Sequence, residues 1–212
     1  MEQELKDNLI SVLNEDEFKK LEKIVEYAKL NNVPIVRPKT ANLLFNYVKE
    51  HSPKRVLEIG TAIGYSGALM LKSSTNSTLD TIEKDASVLD VATKNFEELN
   101  LTDRVKTILG DAKEVLNTLS GEYDFIFLDG PKAQYIHYLP RLLELLKVGG
   151  TLFADNVLFR GMVLSDGKIP HKNRTIVKNL QQFLNEIGSN KSLKTQIIDL
   201  EDGISISIKE SK

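Results

Sequence analysis

Cysteine is absent from this sequence of 212 residues, and no stretch of the chain is both long and apolar. Without cysteine there is no disulfide, no thiolate metal site and no cysteine nucleophile. No run approaches the roughly 20 apolar residues of a membrane span, and the charged start MEQELKDNLI lacks the apolar core of a signal peptide. The formal net charge of −2 gives no global basic field that would attract nucleic acid, although a local patch stays open. We therefore expect a soluble, cytoplasmic protein with no membrane partner.

Short apolar runs alternate with helical patterns from residue 55 onward, and this alternation predicts an α/β fold. The runs are RVLEIG, TLDTIE, VKTILG, YDFIFLD and GTLFADN, and such continuous apolar strands are typical of a parallel sheet covered on both faces. Two more strands, LKTQIIDL and GISISIKE, are joined by EDG, which indicates an antiparallel hairpin. We expect a doubly wound, Rossmann-like, mostly parallel sheet of seven strands.

The length and the N-terminal pattern predict the domain organisation. Apolar side chains recur at helical spacing over residues 1–31 and again after a segment with two prolines. A chain of 212 residues suits one domain with a sizeable core. We therefore expect a single domain over 1–212, with an N-terminal helical cap over 1–50 and a Rossmann-like core over 55–212.

The segment VLEIGTAIGYSG combines a strand, a glycine-rich turn and the start of a helix. Its spacing from Gly60 is G-x-x-x-G-x-x-G, and Ala62 replaces the second glycine of the dinucleotide fingerprint. Glu58 in the first strand favours a cationic ligand, Glu83 ends the second strand where an acid can accept ribose hydroxyls, and Asp111 follows the third strand near an expected base. These features favour S-adenosylmethionine over a nicotinamide cofactor. The alternative is that the glycines serve packing and the acids lie at the surface.

Three oxygen-bearing side chains follow the next two strands. Asp129 ends the fourth strand, and Asp155 and Asn156 end the fifth. Neighbouring parallel strands lie about 4.8 Å apart, so these side chains can converge. An all-oxygen set without histidine or cysteine suits a hard cation, Mg²⁺ first or else Mn²⁺. The alternative, that the acids merely cap turns, is disfavoured because burying unpaired carboxylates together is costly.

Lys132 lies one short turn after Asp129 in FLDGPKAQY, where a glycine and a proline shape the bend. Lysine is most often a surface residue. Beside a metal that holds a substrate hydroxyl, however, it could accept the hydroxyl proton as a general base. We therefore predict that Asp129 and Lys132 are catalytic residues.

At these motifs the sequence resembles the metal-dependent class I O-methyltransferases, the group of catechol and caffeoyl-CoA O-methyltransferases. The resemblance covers nearly the whole chain, from VPIVRPKTANLL through VLEIGTAIGYS, FLDGPKAQY and FADNVLFRG to EDGISISIK. It implies a Rossmann-like methyltransferase fold with a metal held by Asp129, Asp155 and Asn156. Lys132 is then the catalytic lysine. The implied donor-binding set is Val36, Glu58, Gly60, Tyr65, Ser66, Glu83, Asp111, Ala112 and Asp129.

Within this group the sequence most resembles the bacterial tRNA 5-hydroxyuridine methyltransferases, which implies a tRNA acceptor and a homodimer. The segment 157–178, hereafter the basic segment, has five Lys or Arg residues against one acid. Such a patch could hold phosphates beside an exposed base. The candidate acceptor contacts are Arg37, Arg160, Lys172 and Arg174. Three alternatives stay open: a small catechol-like acceptor, a donor-binding module without turnover, and a nicotinamide-dependent dehydrogenase.

Overall fold

Seven strands form one sheet in the computed structural model, which describes residues 1–211. The strands are β1 (Arg55–Ile59), β2 (Thr78–Glu83), β3 (Val105–Leu109), β4 (Tyr123–Leu128), β5 (Leu146–Asp155), β6 (Leu193–Ile198) and β7 (Ile204–Lys209). Their order is β3-β2-β1-β4-β5-β7-β6. Pairing is parallel for β1–β2, β2–β3 and β4–β5, and antiparallel for β5–β7 and β6–β7. The predicted fold class, a mostly parallel seven-stranded α/β sheet with an antiparallel C-terminal hairpin, is confirmed.

Eight α-helices accompany the strands within residues 1–211. They are α1 (Gln3–Ile10), α2 (Glu15–Leu30), α3 (Pro38–His51), α4 (Tyr65–Ser73), α5 (Ala86–Glu98), α6 (Ala112–Thr118), α7 (Tyr135–Leu145) and α8 (Arg174–Ser189). The helical pattern over residues 1–31 forms two separate helices, α1 and α2. Asn14 accepts a hydrogen bond from the Glu17 backbone N–H (2.9 Å), and the Glu17 carboxylate accepts one from the Asn14 N–H (3.2 Å). This reciprocal capping box begins a new helix.

The residue contacts divide the chain into two compact units. Unit 1, Met1–Ala112, contains β1 to β3 with α1 to α5. Its parallel strands end at one edge, and two glycines extend the hydrogen bonding there. The N–H of Gly60 donates to the Ile82 carbonyl (3.0 Å), and that of Gly110 donates to the Glu83 carbonyl (2.8 Å). This edge carries the residues predicted to bind the methyl donor.

Unit 2, Lys113–Lys212, contains β4 to β7 with α7 and α8. Phe125 and Phe127 on β4 pack against Phe153 on β5, with ring centroids 6.0 and 5.7 Å apart. Aromatic packing of this kind stabilises the pairing of the two strands beyond the apolar area that it buries. The carboxyl ends of β4 and β5 carry the residues predicted to bind the metal.

Two further expectations concern the whole chain. The single domain, with a cap over 1–50 and a core over 55–212, stays a prediction, because the contacts place a boundary between the two units near residue 112. Within residues 1–211 no helix has the length and apolar character to cross a membrane. A cytoplasmic location stays a prediction.

Candidate active site

The acidic pair predicted to bind a metal lies at the carboxyl ends of β4 and β5. The strand register pairs Leu128 with Ala154, so Asp129 and Asp155 come next on the two neighbouring strands. Asp155 is only 2% exposed. Burial, followed by the negative charge of Asp129, raises the pKa of Asp155 to about 7, and the backbone N–H of Asn156, 2.7 Å from its Oδ1, only partly opposes this rise. The structure thus brings the two predicted carboxylates together.

This pair fits a hard cation. A buried carboxylate that is destabilised by burial and by a second carboxylate is a place where a bound positive charge is favourable. Asn156 adds an amide oxygen beside Asp155, so oxygen is available from two acids and one amide. No cluster of three or more His, Cys, Asp or Glu suited to a metal occurs in residues 1–211. The predicted set contains two acids and one amide, and its role as a metal site stays a prediction.

Lys132 forms an ion pair with the predicted metal ligand Asp129. Its Nζ lies 2.5 Å from Asp129 Oδ1, and the two side chains are 20% and 19% exposed. The same ammonium lies 5.8 Å from the centre of the Tyr135 ring, which is within the range of a cation–π contact. The lysine therefore reaches the acidic pair from the turn after β4. Its role in proton transfer stays a prediction.

The chain leaves β5 through an unusual backbone. Asn156, Phe159 and Arg160 all have positive φ, at 58°, 43° and 57°. Left-handed backbone costs roughly 1 kcal/mol or more for residues other than glycine, and it persists only where the surroundings hold it. The predicted metal ligand Asn156 and the predicted acceptor contact Arg160 thus share one strained loop.

Asp202 and Gly203, just before β7, hold this loop in place. The Val157 N–H donates to the Gly203 carbonyl (3.0 Å), and the Leu158 N–H donates to the Asp202 carbonyl (2.9 Å). The Asp202 carboxylate accepts a hydrogen bond from the backbone N–H of Arg160. This role of Asp202 was not predicted from the sequence, because EDG indicates only a hairpin turn. An acid beside a turn glycine gives no signal of a partner more than 40 residues away.

In unit 1, Glu83 lies at the end of β2 and is fixed by three backbone N–H groups. Its carboxylate accepts hydrogen bonds from Ala62 (3.1 Å), Lys84 (2.9 Å) and Asp85 (3.1 Å). Ala62 adopts a φ of 45° in the glycine-rich turn. A carboxylate has about four acceptor positions, so one remains for a ribose hydroxyl. The predicted ribose-binding acid is therefore pre-positioned against the glycine-rich turn.

Glu58 and Ser66, both predicted to contact the donor, bond to each other. Glu58 is completely buried, and its carboxylate accepts hydrogen bonds from the Ser66 hydroxyl (2.5 Å) and the Thr81 hydroxyl (2.6 Å). An added Cβ at Gly67 would lie 3.1 Å from Glu58 Oε2, so the start of α4 approaches this carboxylate closely. Glu58 thus fixes the turn between β1 and α4. Its contact with the cationic part of the donor stays a prediction.

Val36 and Tyr65 share one cavity in unit 1. The cavity has a volume of about 320 Å³, and its lining, mostly apolar, includes Leu5, Lys29 and Arg37. Val36 and Tyr65 are 5% and 3% exposed, and burial raises the pKa of the Tyr65 hydroxyl. The structure therefore brings together two residues that the sequence places nearly 30 positions apart.

The other predicted donor contacts are spread over several positions. Gly60 follows β1 with a φ of 103°. Asp111 is exposed after β3, while Ala112 is buried at the start of α6. Asp129 belongs to unit 2. The contacts of all four with the donor stay predictions.

The predicted acceptor contacts of unit 2 are exposed. Arg160, Lys172 and Arg174 form no salt bridge with any of residues 1–211, although Arg174 Nε donates a hydrogen bond to a backbone carbonyl. The basic segment continues into α8, where the Asn179 side chain donates to the Ala133 carbonyl (2.7 Å) in the turn of Lys132. Helix α8, which begins within the basic segment, is thereby bonded to the turn that carries the predicted catalytic lysine. Arg37, in unit 1, is exposed as well.

Comparison with known proteins identifies relatives over most of the chain. A family model described as O-methyltransferase matches residues 8–210. A catechol O-methyltransferase of Niastella koreensis is 32% identical over 167 residues, covering 73% of each protein. A proposed caffeoyl-CoA O-methyltransferase from Staphylococcus aureus has a similar structure, with a TM-score of 0.84, 31% identity, and coverage of 96% of this chain and 98% of that one. An O-methyltransferase from Bacillus cereus, solved in complex with SAH, has a TM-score of 0.81 and 25% identity over 90% of each chain.

Proposed function

This chain belongs to the O-methyltransferase family, and we propose that it is a metal-dependent enzyme that methylates 5-hydroxyuridine at the wobble position of tRNA. The product is 5-methoxyuridine, the donor is S-adenosylmethionine, and the metal is Mg²⁺ or Mn²⁺. One observation carries the proposal. The buried carboxylate of Asp155 faces the charge of Asp129, and Lys132 contacts that second carboxylate at 2.5 Å. An acidic pair with a lysine beside it suits a metal site where a hydroxyl loses its proton.

The donor assignment rests on the edge of β1 to β3. Glu83 is held by three backbone N–H groups, and Val36 and Tyr65 share a cavity in the same unit. The Bacillus cereus relative is described in complex with SAH, the product that remains when the donor has lost its methyl group. Both observations support S-adenosylmethionine as the ligand of this unit.

The metal assignment rests on the chemistry of the residues themselves. Asp129, Asp155 and Asn156 would hold the cation, since hard divalent cations prefer carboxylate and amide oxygens. When bound, the cation would hold two adjacent acceptor oxygens and stabilise the negative charge that develops on the reacting one. Removal of the metal with EDTA should abolish methyl transfer, and added Mg²⁺ or Mn²⁺ should restore it. Full turnover in a verified metal-free sample would contradict the assignment.

The transfer step assigns a task to Lys132. A bond forms between the acceptor oxygen and the methyl carbon while the carbon–sulfur bond breaks, so S-adenosylhomocysteine leaves and the hydroxyl proton must be taken up. An ammonium group has no lone pair, so Lys132 would first release one proton to solvent and then take up the hydroxyl proton. The ion pair with Asp129 keeps its Nζ at the reacting end of the site. Lys132→Ala should therefore lower kcat far more than it weakens metal binding.

The choice of tRNA rests on the exposed positive charges of the basic segment. The segment has five Lys or Arg residues and one acid, and Asn179, the residue that follows it, donates a hydrogen bond to the turn of Lys132. Phosphate contacts from such side chains position a nucleic acid, while the base to be methylated enters the reaction site. The overall charge of −2 confines this attraction to the local patch.

A small catechol-like acceptor is the second candidate, and the names of the relatives favour it. The Niastella koreensis protein is described as a catechol O-methyltransferase and the Staphylococcus aureus protein as a proposed caffeoyl-CoA O-methyltransferase. A catechol presents two adjacent oxygens to a metal, as the O5 hydroxyl and O4 carbonyl of 5-hydroxyuridine do. The metal chemistry therefore suits both acceptors.

Labelled methyl donor separates the two acceptors in one experiment. The protein is incubated with Mg²⁺ and either tRNA from a strain that lacks the modification or a panel of catechols, each with an EDTA control. Label in tRNA that is lost with EDTA supports the proposal, and label only in catechols supports the second candidate. No label with any acceptor, despite donor binding by calorimetry, would indicate a module without turnover. Binding of a nicotinamide cofactor instead of the donor would indicate a dehydrogenase.

The proposed homodimer uses the N-terminal helices. Large apolar side chains are exposed on α1 and α2, with Leu30 at 80%, Ile10 at 59% and Tyr27 at 42%. Exposed apolar side chains on neighbouring helices favour an interface. Light scattering should give twice the chain mass, and Leu30→Glu should shift the protein towards the monomer. A parent protein that stays monomeric at high concentration would refute the dimer.

A further inference from the structure

We propose that Tyr135 is a positioning residue that sets the spacing of the two carboxylates of the metal site. This inference rests on the proposed metal-dependent function. Tyr135 closes the motif FLDGPKAQY and is the first residue of α7. It is completely buried. No role was predicted for Tyr135 from the sequence, where it appears only as the last residue of that motif.

The Tyr135 hydroxyl contacts both strands that carry the acids. It lies 3.0 Å from the carbonyl oxygen of Leu128 and 3.0 Å from that of Asp155. A phenol has one hydrogen, so it is shared between the two carbonyls or alternates between them. Leu128 immediately precedes Asp129, and Asp155 is itself a predicted ligand. One hydroxyl thus connects the backbone at both predicted carboxylate ligands.

The position of the hydroxyl is itself fixed. The Tyr135 N–H donates to the Lys132 carbonyl, which closes the turn, and the Tyr135 ring packs edge-on against Phe183 of α8, with centroids 5.5 Å apart. Burial and the charges of Asp129 and Asp155 raise its pKa well above the usual value, so the hydroxyl stays protonated as a donor. The ring is held by the core, and its hydroxyl therefore acts as a rigid spacer.

The same residue links the catalytic turn to the strand ends. Only two residues separate Lys132 from Tyr135, and the Lys132 ammonium lies 5.8 Å from the centre of the ring. If the hydroxyl is removed, the ring can keep its packing but the turn loses its bond to the ends of β4 and β5. Small shifts of the two carboxylates then change the distances at which a cation is held, and Mg²⁺ in particular demands near-ideal octahedral geometry.

Tyr135→Phe tests this role, and Tyr123→Phe is its matched control. Tyr123 is also buried, at 1% exposure, but lies at the opposite, amino-terminal end of β4. Both variants lose one buried hydroxyl, so both should lower the melting temperature. Mn²⁺ serves as the probe, and its dissociation constant is measured by calorimetry with the purified full chain. Thermal unfolding with and without Mn²⁺ gives a second readout that does not depend on catalysis.

For Tyr135→Phe we expect the dissociation constant for Mn²⁺ to rise by roughly tenfold, the low end of the effect of groups that bond to metal ligands. We expect kcat to fall at saturating Mn²⁺, with donor affinity unchanged. The dissociation constant of Tyr123→Phe for Mn²⁺ should stay within about twofold of the parent value, because Tyr123 lies at the end of β4 opposite the acids. If Tyr135→Phe also binds Mn²⁺ within about twofold of the parent, the inference is overturned while the metal-dependent function stands. If the parent itself binds no Mn²⁺, both fail.

Discussion

Asp155→Asn should make the metal-free protein more stable, although the substitution removes a residue of the proposed active site. The Asp155 carboxylate is buried next to Asp129, and its pKa is raised from 3.8 to about 7. An asparagine has nearly the same shape as the aspartate. Its side-chain oxygen can still accept the hydrogen bond that the Asn156 N–H donates to Asp155 Oδ1 in the parent, at 2.7 Å. The variant therefore loses the unfavourable charge and keeps the hydrogen bond.

The size of the gain follows from the linkage between proton binding and folding. Below pH 3.8 the carboxyl is protonated in both states and has no effect on the free energy of unfolding. As the pH rises to about 7, the unfolded chain loses the proton first, so the stability of the metal-free protein falls. At about 1.4 kcal/mol per pH unit the full loss is about 4 kcal/mol at pH 8, but only about 1.6 kcal/mol at pH 5. We expect Asp155→Asn to recover much of each amount.

Thermal unfolding measures this directly. If the variant recovers about 3 of the 4 kcal/mol, it should melt about 6–12 °C above the parent in EDTA at pH 8, since 1 kcal/mol corresponds to roughly 2–4 °C for a chain of this size. At pH 5 the difference should be less than half as large. Mg²⁺ at millimolar concentration should raise the melting temperature of the parent but not of the variant, because binding stabilises only a folded state that has the site.

Asp199→Asn serves as the control, because it removes an exposed carboxylate from the same unit. It should change neither the pH dependence nor the response to Mg²⁺. The claim that the buried charge of Asp155 destabilises the metal-free protein is refuted if Asp155→Asn is no more stable than the parent at pH 8 in EDTA. It is also refuted if the gain is the same at pH 5, because the Asp155 carboxylate would then not be the source of the pH dependence.

Three other substitutions test separate parts of the molecule. Glu83→Ala should weaken donor binding by roughly 1.5–3 kcal/mol in calorimetry, because a charge-assisted hydrogen bond to ribose is lost, while circular dichroism stays unchanged. Arg174→Ala should weaken tRNA binding and flatten the log–log salt slope by about 0.7, with donor affinity unchanged; parent-like binding at every salt would mean that the residue contacts no phosphate. Gly203→Ala should destabilise the fold by more than about 2 kcal/mol, because the added methyl would lie 2.2 Å from a side-chain carbon of Leu158 at a φ of 81°. Gly188→Ala, in α8 with open space around its Cα, should instead be neutral or slightly stabilising in the same denaturant titration.

The strands were predictable because each parallel strand is a short run rich in apolar residues with a clear end. TLDTIE coincides with β2, and the five parallel strands all carry such runs. The start of β5 was missed. The prediction began at Gly150, whereas the strand begins at Leu146, because its first residues pair with Tyr123 across a register shift. Exposed residues and two adjacent glycines give that stretch no apolar pattern.

The residues of the candidate site were predictable only where polar side chains lie at the end of a strand. Asp129 and Asp155 follow neighbouring strands, so strand geometry alone brings them together. The groups that hold the site in shape follow no such rule. The hydroxyl of Tyr135 meets a carbonyl 20 residues along the chain, and the Asp202 carboxylate meets a backbone N–H 42 residues away. Contacts of this kind depend on side-chain reach and loop conformation, which leave no periodic signal in the sequence.

If the proposed metal site is correct, acceptor choice should depend on the loop after β5 rather than on the proposed metal ligands. Two adjacent oxygens would bind a hard cation in the same way whether they belong to a catechol or to 5-hydroxyuridine. The proposed ligands Asp129, Asp155 and Asn156 would therefore not distinguish the two acceptors. A polyanion differs from a small phenol mainly in its phosphates, and these interact with exposed guanidinium and ammonium groups. The strained loop that carries Arg160 begins at Asn156, a proposed ligand, and its backbone is hydrogen-bonded to Asp202. This loop thus connects the proposed metal site to the charges that would distinguish the acceptors. Substitutions in the basic segment should therefore change acceptor preference without changing metal affinity.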